Sequence, residues 1–100
     1  MPKDRKEWAD KVMKEGLLLL HFKHELDEPE NKGKYVYQLL TLAKHTETGE
    51  MMAVYKHIPT DLVYVRPYDM FVSEVDHEKY PVIKQKYRFE VLTLDKLKGK

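Results

Sequence analysis

The sequence predicts a mainly β fold, a small antiparallel barrel of about five strands with an N-terminal α-helix. Three observations predict it. Apolar and aromatic residues recur at strand-like spacing in five short runs between Leu17 and Val91. Tight polar links containing Gly, Pro, Asp and Glu separate those runs, the pattern of a small all-β domain. Only residues 4–15 carry apolar side chains at helical spacing.

The helix comes first. Asp4 is a candidate cap, and Glu7 three positions later completes a capping-box pattern. Trp8, Ala9, Val12 and Met13 fall on one face. Gly16 stands just past the end, where a left-handed backbone commonly stops a helix.

Leu17 to Lys23 reads as the first strand. The charged, turn-forming loop 27–34 follows it. Tyr35 to Lys44 is apolar on both faces and therefore a central strand. Glu47-Thr48-Gly49 makes a tight reversal, with Gly49 free to take positive φ. Met51 to His57 is the third strand, ended by Pro59-Thr60-Asp61, and Leu62 to Arg66 is a short fourth. Pro67 forces Arg66 out of helical geometry and opens a single helical turn through Phe71. Asp76 to Tyr80 is a further turn. In the last strand Ile83, Tyr87, Phe89 and Val91 face one side, interrupted by Gln85, while Lys84, Lys86 and Arg88 face the other. The chain thus divides into a helix at 1–16, a barrel domain at 17–94 and a flexible basic tail at 95–100.

Composition bounds the function. Of the 100 residues, 35% are charged and 42% apolar, with a net charge of +1, so no global field attracts nucleic acid or an anionic membrane. The absence of cysteine excludes disulfides, thiolate catalysis and Cys-ligated metal. Leu17-Leu18-Leu19-Leu20 is the longest apolar run, too short to span a bilayer, and the charged start leads into no signal-type segment. A cytoplasmic setting is expected.

Two blocks stand out chemically. Arg66-Pro67-Tyr68-Asp69-Met70-Phe71 sets a permanent cation beside a rigid Pro and apolar side chains, and His45-Thr46-Glu47-Thr48-Gly49-Glu50 presents an imidazole and two carboxylates on a turn. His45, Glu47, Glu50 and Arg66 form a charged constellation if their strands are neighbours, either as an anion site or as an ion pair fixing a corner. Met70 and Phe71 are either a docking knob or a plug for the barrel end. Ser73, the single serine, lacks the glycines of a nucleophile elbow and reads as a surface or capping residue. His45 and Glu47 lack a third metal ligand, and His21 and His24 point to opposite faces of a strand unless the strand ends between them. The stripe Lys84, Lys86, Arg88 resembles a phosphate-tracking strand, but Tyr87 points away from it. Seven tyrosines suit a recognition surface.

Several blocks together resemble a bacterial family known as domain of unknown function 1653. They are His21-Phe22-Lys23, Tyr37 through Leu40, Ala43 with His45-Thr46-Glu47-Thr48, Glu50, Val54-Tyr55, Val65-Arg66-Pro67, Met70-Phe71 and Tyr87-Arg88-Phe89. The resemblance covers roughly residues 17–92 and implies an SH3-like barrel, with no activity attached. The chain departs from the family pattern in a longer loop at 25–34, in Tyr64 where Trp is frequent, and in the added helix.

The leading functional expectation is a non-enzymatic binding or adaptor module. Its surface comprises His45, Glu47, Thr48, Tyr55, Tyr64, Arg66 and Pro67. The alternatives are a small-molecule or anion-binding protein, or a weak hydrolase, using His45, Glu47 and Arg66, and nucleic-acid association through Lys84, Lys86 and Arg88. No cofactor, resident metal or membrane is expected. A protein, peptide or small-molecule partner is favoured over nucleic acid, and a homodimer is left open.

Overall fold

The computed structural model describes the backbone of residues 4–92 and the side chains of residues 7–92. Helix α1 (Asp4–Glu15) leads into strand β1 (Leu18–His21) and a 3-10 helix at Phe22–Leu26. A second 3-10 helix, Pro29–Tyr35, precedes the meander β2 (Val36–Lys44), β3 (Met51–His57) and β4 (Val63–Pro67). The short helix α2 (Tyr68–Phe71) follows directly, and β5 (Phe89–Val91) closes the order of elements. The sheet is antiparallel throughout, in the order β4-β3-β2-β1-β5.

The helix ends as its sequence demands. Gly16 takes φ +64°, the Gly16 N–H donates to Met13 O, and the Leu17 N–H donates to Val12 O at 3.0 Å. This double closure satisfies carbonyls that the helix would otherwise leave open. The Asp4 side chain, on which the expected capping box depends, and the basic tail beyond Thr93 lie outside what the structure describes. Gly49 takes φ +74° in the β2–β3 turn, where the His45 N–H donates to Glu50 O at 2.8 Å.

Cross-strand partners share a face. Leu19 pairs with Tyr37 and Val91, and His21 with Phe89. Tyr37 pairs with His57, Leu39 with Tyr55 and Leu42 with Ala53. Tyr55 pairs with Tyr64 and Ala53 with Arg66. These residues make up one inner face. A register shift between Leu39 and Thr41 lets both Leu39 and Leu42 point inward and leaves Leu40 exposed. Ala9 and Val12 of α1 and Tyr68 and Phe71 of α2 join this face in the main core, with Phe89 and Phe71 stacked at 4.4 Å between ring centroids. Phe22, Val75 and Ile83 form a second, smaller core, with Tyr80 packed against it.

Two expectations are corrected. The sheet does not close into a barrel: β4 and β5 are its opposite edges. Closure fails for lack of strand. Pro67 ends β4 without an N–H to donate, and β5 is only three residues long.

The long last strand expected from Ile83 is therefore also absent, because two carboxylates hold its backbone in another shape. Glu25 accepts the N–H groups of Lys84 and Gln85 at 2.8 Å each. Glu90 accepts those of Lys86 and Tyr87 at 3.0 and 2.9 Å. Gln85, 6% exposed, donates from Nε2 to Leu20 O and Tyr87 O, both at 2.9 Å. Alternation alone could not foresee a buried amide that ties the irregular segment to β1. Removing the Glu25 carboxylate strands two backbone donors. Glu25→Ala is expected to destabilise by about 2 kcal/mol, measured as a lower urea midpoint with an unchanged denaturant slope.

Candidate functional site

The inner face has two halves of different chemistry. Toward α1 it is aliphatic, built from Leu19, Leu39, Leu42 and Ala53. Toward the start of the first 3-10 helix it is aromatic and cationic. There His21 lies 4.6 Å from Phe22, 6.1 Å from Tyr37 and 4.9 Å from Phe89, ring centroid to ring centroid. Tyr37 is 4.9 Å from His57 and 5.7 Å from Tyr55, and Tyr55 is 5.9 Å from Tyr64. Arg66, half-buried, shares this face through its pairing with the fully buried Ala53.

Arg88 reaches the same neighbourhood from the irregular segment. Its guanidinium carbon is 5.9 Å from the centre of the Phe22 ring, and its Nε donates to Ser73 Oγ at 3.4 Å. Among the described residues no carboxylate is in ion-pair reach of Arg66 or Arg88, and the one ion pair seen is Lys56–Asp61 on the surface. Burial lowers the Arg88 pKa from its usual value, and the charge of Arg66 lowers it further. Burial raises the Tyr37 hydroxyl, with Tyr55 and Tyr64 adding to the effect and Arg66 opposing it.

His21 is the hinge of the cluster. Its Nδ1 accepts the Lys23 N–H at 3.1 Å, capping the first 3-10 helix. Burial above all, then the positive charges of Arg88, Lys23 and Arg66, push its pKa down to about 3. At neutral pH the ring is uncharged with Nδ1 as acceptor, so its proton sits on Nε2. That donor has no partner among the described residues. Tyr55 adds a second orphan: the residue is 6% exposed, and its hydroxyl has no hydrogen-bond partner among the described residues. Both side chains belong to the inner face that also holds Arg66. His57 is different. Its Nδ1 meets Thr60 Oγ1 at 2.8 Å and its Nε2 meets the Lys34 carbonyl at 2.6 Å, so it ties the β3–β4 turn to the second 3-10 helix.

The residues expected to act together are divided by the fold. Tyr55, Tyr64 and Arg66 are brought together on the inner face. His45, Glu47 and Thr48 stay in the β2–β3 turn, where His45 Nδ1 accepts the N–H groups of Glu47 and Thr48 at 3.1 and 3.3 Å. Thr48 Oγ1 accepts the Glu50 N–H at 3.2 Å. The imidazole is thus used by its own turn, and no ion pair joins Arg66 to Glu47 or Glu50. Pro67 pairs with Met52 and starts α2.

Ser73 donates to Met70 O at 2.7 Å, which is the capping role its surroundings predict. The basic stripe is broken, because Lys84 and Lys86 are exposed whereas Arg88 is half-buried. No group of three or more His, Asp or Glu side chains among the described residues could hold a metal ion, and no described helix is long and apolar enough to cross a membrane.

Sequence reasoning missed His21, Tyr37 and Arg88 as members of the site. The signal for the first two was the antiparallel register, which sets His21 opposite Phe89 and Tyr37 beside Leu19. Arg88 carried no such signal, since strict alternation assigns it to the outer face.

One family model matches residues 20–91, and its description is protein of unknown function (DUF1653). No curated protein and no solved structure matches.

Proposed function

The chain belongs to the family of proteins of unknown function DUF1653, and on that premise we propose that it is a non-enzymatic module that binds a small anion on its inner face. Arg66 and Arg88 supply the charge, and His21 Nε2 with the Tyr37, Tyr55 and Tyr64 hydroxyls supplies neutral donors. The observation that carries the reading is Arg66, half-buried with no carboxylate in ion-pair reach among the described residues, on the face that also holds Tyr55, whose hydroxyl has no hydrogen-bond partner among them. A guanidinium left unpaired and half-buried is a poor structural device and a good oxyanion receptor. The SH3-like character, bacterial origin and cytoplasmic setting expected above belong to the same proposal.

The test is titration with inorganic phosphate at fixed ionic strength. Arg66→Gln is expected to weaken binding at least about 10-fold, the loss of one charged hydrogen-bond pair. Glu47→Gln is expected to leave it unchanged. Equal affinity of Arg66→Gln and the parent protein would reject the reading.

A second reading rests on β4. It is an edge strand, and its residues Val63, Tyr64 and Val65, with Leu62 just before it, are 42–58% exposed. A bare apolar edge is a template for an added strand, which is the form that the adaptor expectation takes on this fold. Val65→Lys on this edge is expected to abolish capture of an extended peptide, measured by fluorescence anisotropy, without altering phosphate binding. A peptide bound equally by both proteins would remove it.

A further inference from the structure

We infer that the ligand is a phosphomonoester carried on a flat ring, an inference that rests on the anion-binding reading above. Charge decides the head group. Arg66 and Arg88 bring two fixed positive charges to one half-buried region, and no carboxylate among the described residues offsets either. A singly charged anion leaves one guanidinium uncompensated. A phosphoryl dianion meets both, and its oxygens match the forked N–H geometry of arginine. His21 Nε2 and the Tyr55 hydroxyl are the neutral donors available on the same face for the remaining oxygens.

The rings decide what carries the head group. Tyr37, Tyr55 and Tyr64 step outward along the face with centroids 5.7 and 5.9 Å apart. The outermost, Tyr64, is 42% exposed and offers a ring surface at the rim beside Arg66. A flat, unsaturated group attached to the phosphate can lie against it. A cavity of about 440 Å³ elsewhere among the described residues, lined by His24, Glu25, Asp27, Pro29, Lys32, Val82 and Lys84, is a poor match for an anion. Its two carboxylates are already bonded, Glu25 to backbone N–H groups and Asp27 to Glu28, Asn31 and Tyr35.

Three probes separate the terms at fixed ionic strength and pH 7.5: phenyl phosphate, benzenesulfonate and inorganic phosphate. Phenyl phosphate is expected to bind at least about 10-fold more tightly than either of the others. Tyr64→Ala is expected to weaken phenyl phosphate several-fold more than it weakens inorganic phosphate, which loses only the hydroxyl donor. Benzenesulfonate binding as well as phenyl phosphate would overturn the requirement for two charges. Inorganic phosphate binding as well as phenyl phosphate would overturn the ring. Failure of all three probes to bind would instead remove the anion-binding reading on which the inference rests.

Discussion

Replacing Phe89 with alanine is expected to destabilise the protein by about 3–5 kcal/mol. Phe89 is 1% exposed and its ring meets four others, those of His21, Tyr37, Tyr55 and Phe71, at centroid distances of 4.9, 5.4, 5.5 and 4.4 Å. It sits on β5, the shortest strand, so the sheet offers few other contacts to hold this edge. Truncation opens a cavity between β1, β2, β3 and α2 together, and aromatic walls collapse poorly into such a space. A domain of this size has a total stability of about 5–15 kcal/mol, so one substitution removes a large share of it. Chemical denaturation followed by circular dichroism measures the loss. Phe89→Leu, which keeps most of the volume, is expected to lose less than half as much. A loss below about 1 kcal/mol for alanine would contradict the placement of this ring at the junction of sheet and helix.

Acidification from pH 7.5 to pH 5 is expected to cost about 2 kcal/mol through His21 alone. The folded-state pKa is lowered to about 3, chiefly by burial, whereas the unfolded side chain titrates near its ordinary 6.5. Between those values the unfolded chain takes up a proton that the folded chain refuses. Stability is therefore full above pH 6.5 and falls as the pH drops toward 3. The size at pH 5 is governed by the unfolded value, because the folded group is still neutral there. His21→Asn retains an acceptor able to cap the 3-10 helix and removes the titration. Urea denaturation at the two pH values should show a steeper loss for the parent protein than for His21→Asn, by about 2 kcal/mol. Equal losses would mean that His21 is not held neutral by its surroundings.

Much of the fold was legible. Helix α1, the β2–β3 turn, strand β3 and the helical turn after Pro67 follow from periodicity, Gly49 and Pro67, all of which act locally. The end of the chain was less legible for a physical reason. Glu25 and Lys84 are 59 residues apart, and nothing near Lys84 announces that a distant carboxylate will take its N–H in place of a neighbouring strand. The open sheet follows from the same contacts.

The candidate site was legible by half. Aromatic content and the Arg66-Pro67 block point to Tyr55, Tyr64 and Arg66, and the fold assembles them on one face. The chemistry of His45 and Glu47 makes them candidates, but the His45 ring accepts the backbone N–H groups of Glu47 and Thr48 within its own turn. His21 depends on its pairing with Phe89 across a strand 68 positions away in sequence, which only the register reveals.

The most direct measurement is an NMR titration with inorganic phosphate that follows the Nε–H signals of Arg66 and Arg88, the His21 ring and the backbone N–H signals of Glu47 and Thr48 together. Saturable shifts at Arg66, Arg88 and His21, with Glu47 and Thr48 unmoved, are the predicted result. Shifts confined to the Glu47 and Thr48 turn, or no saturable shift at either arginine, would contradict an anion site on the inner face.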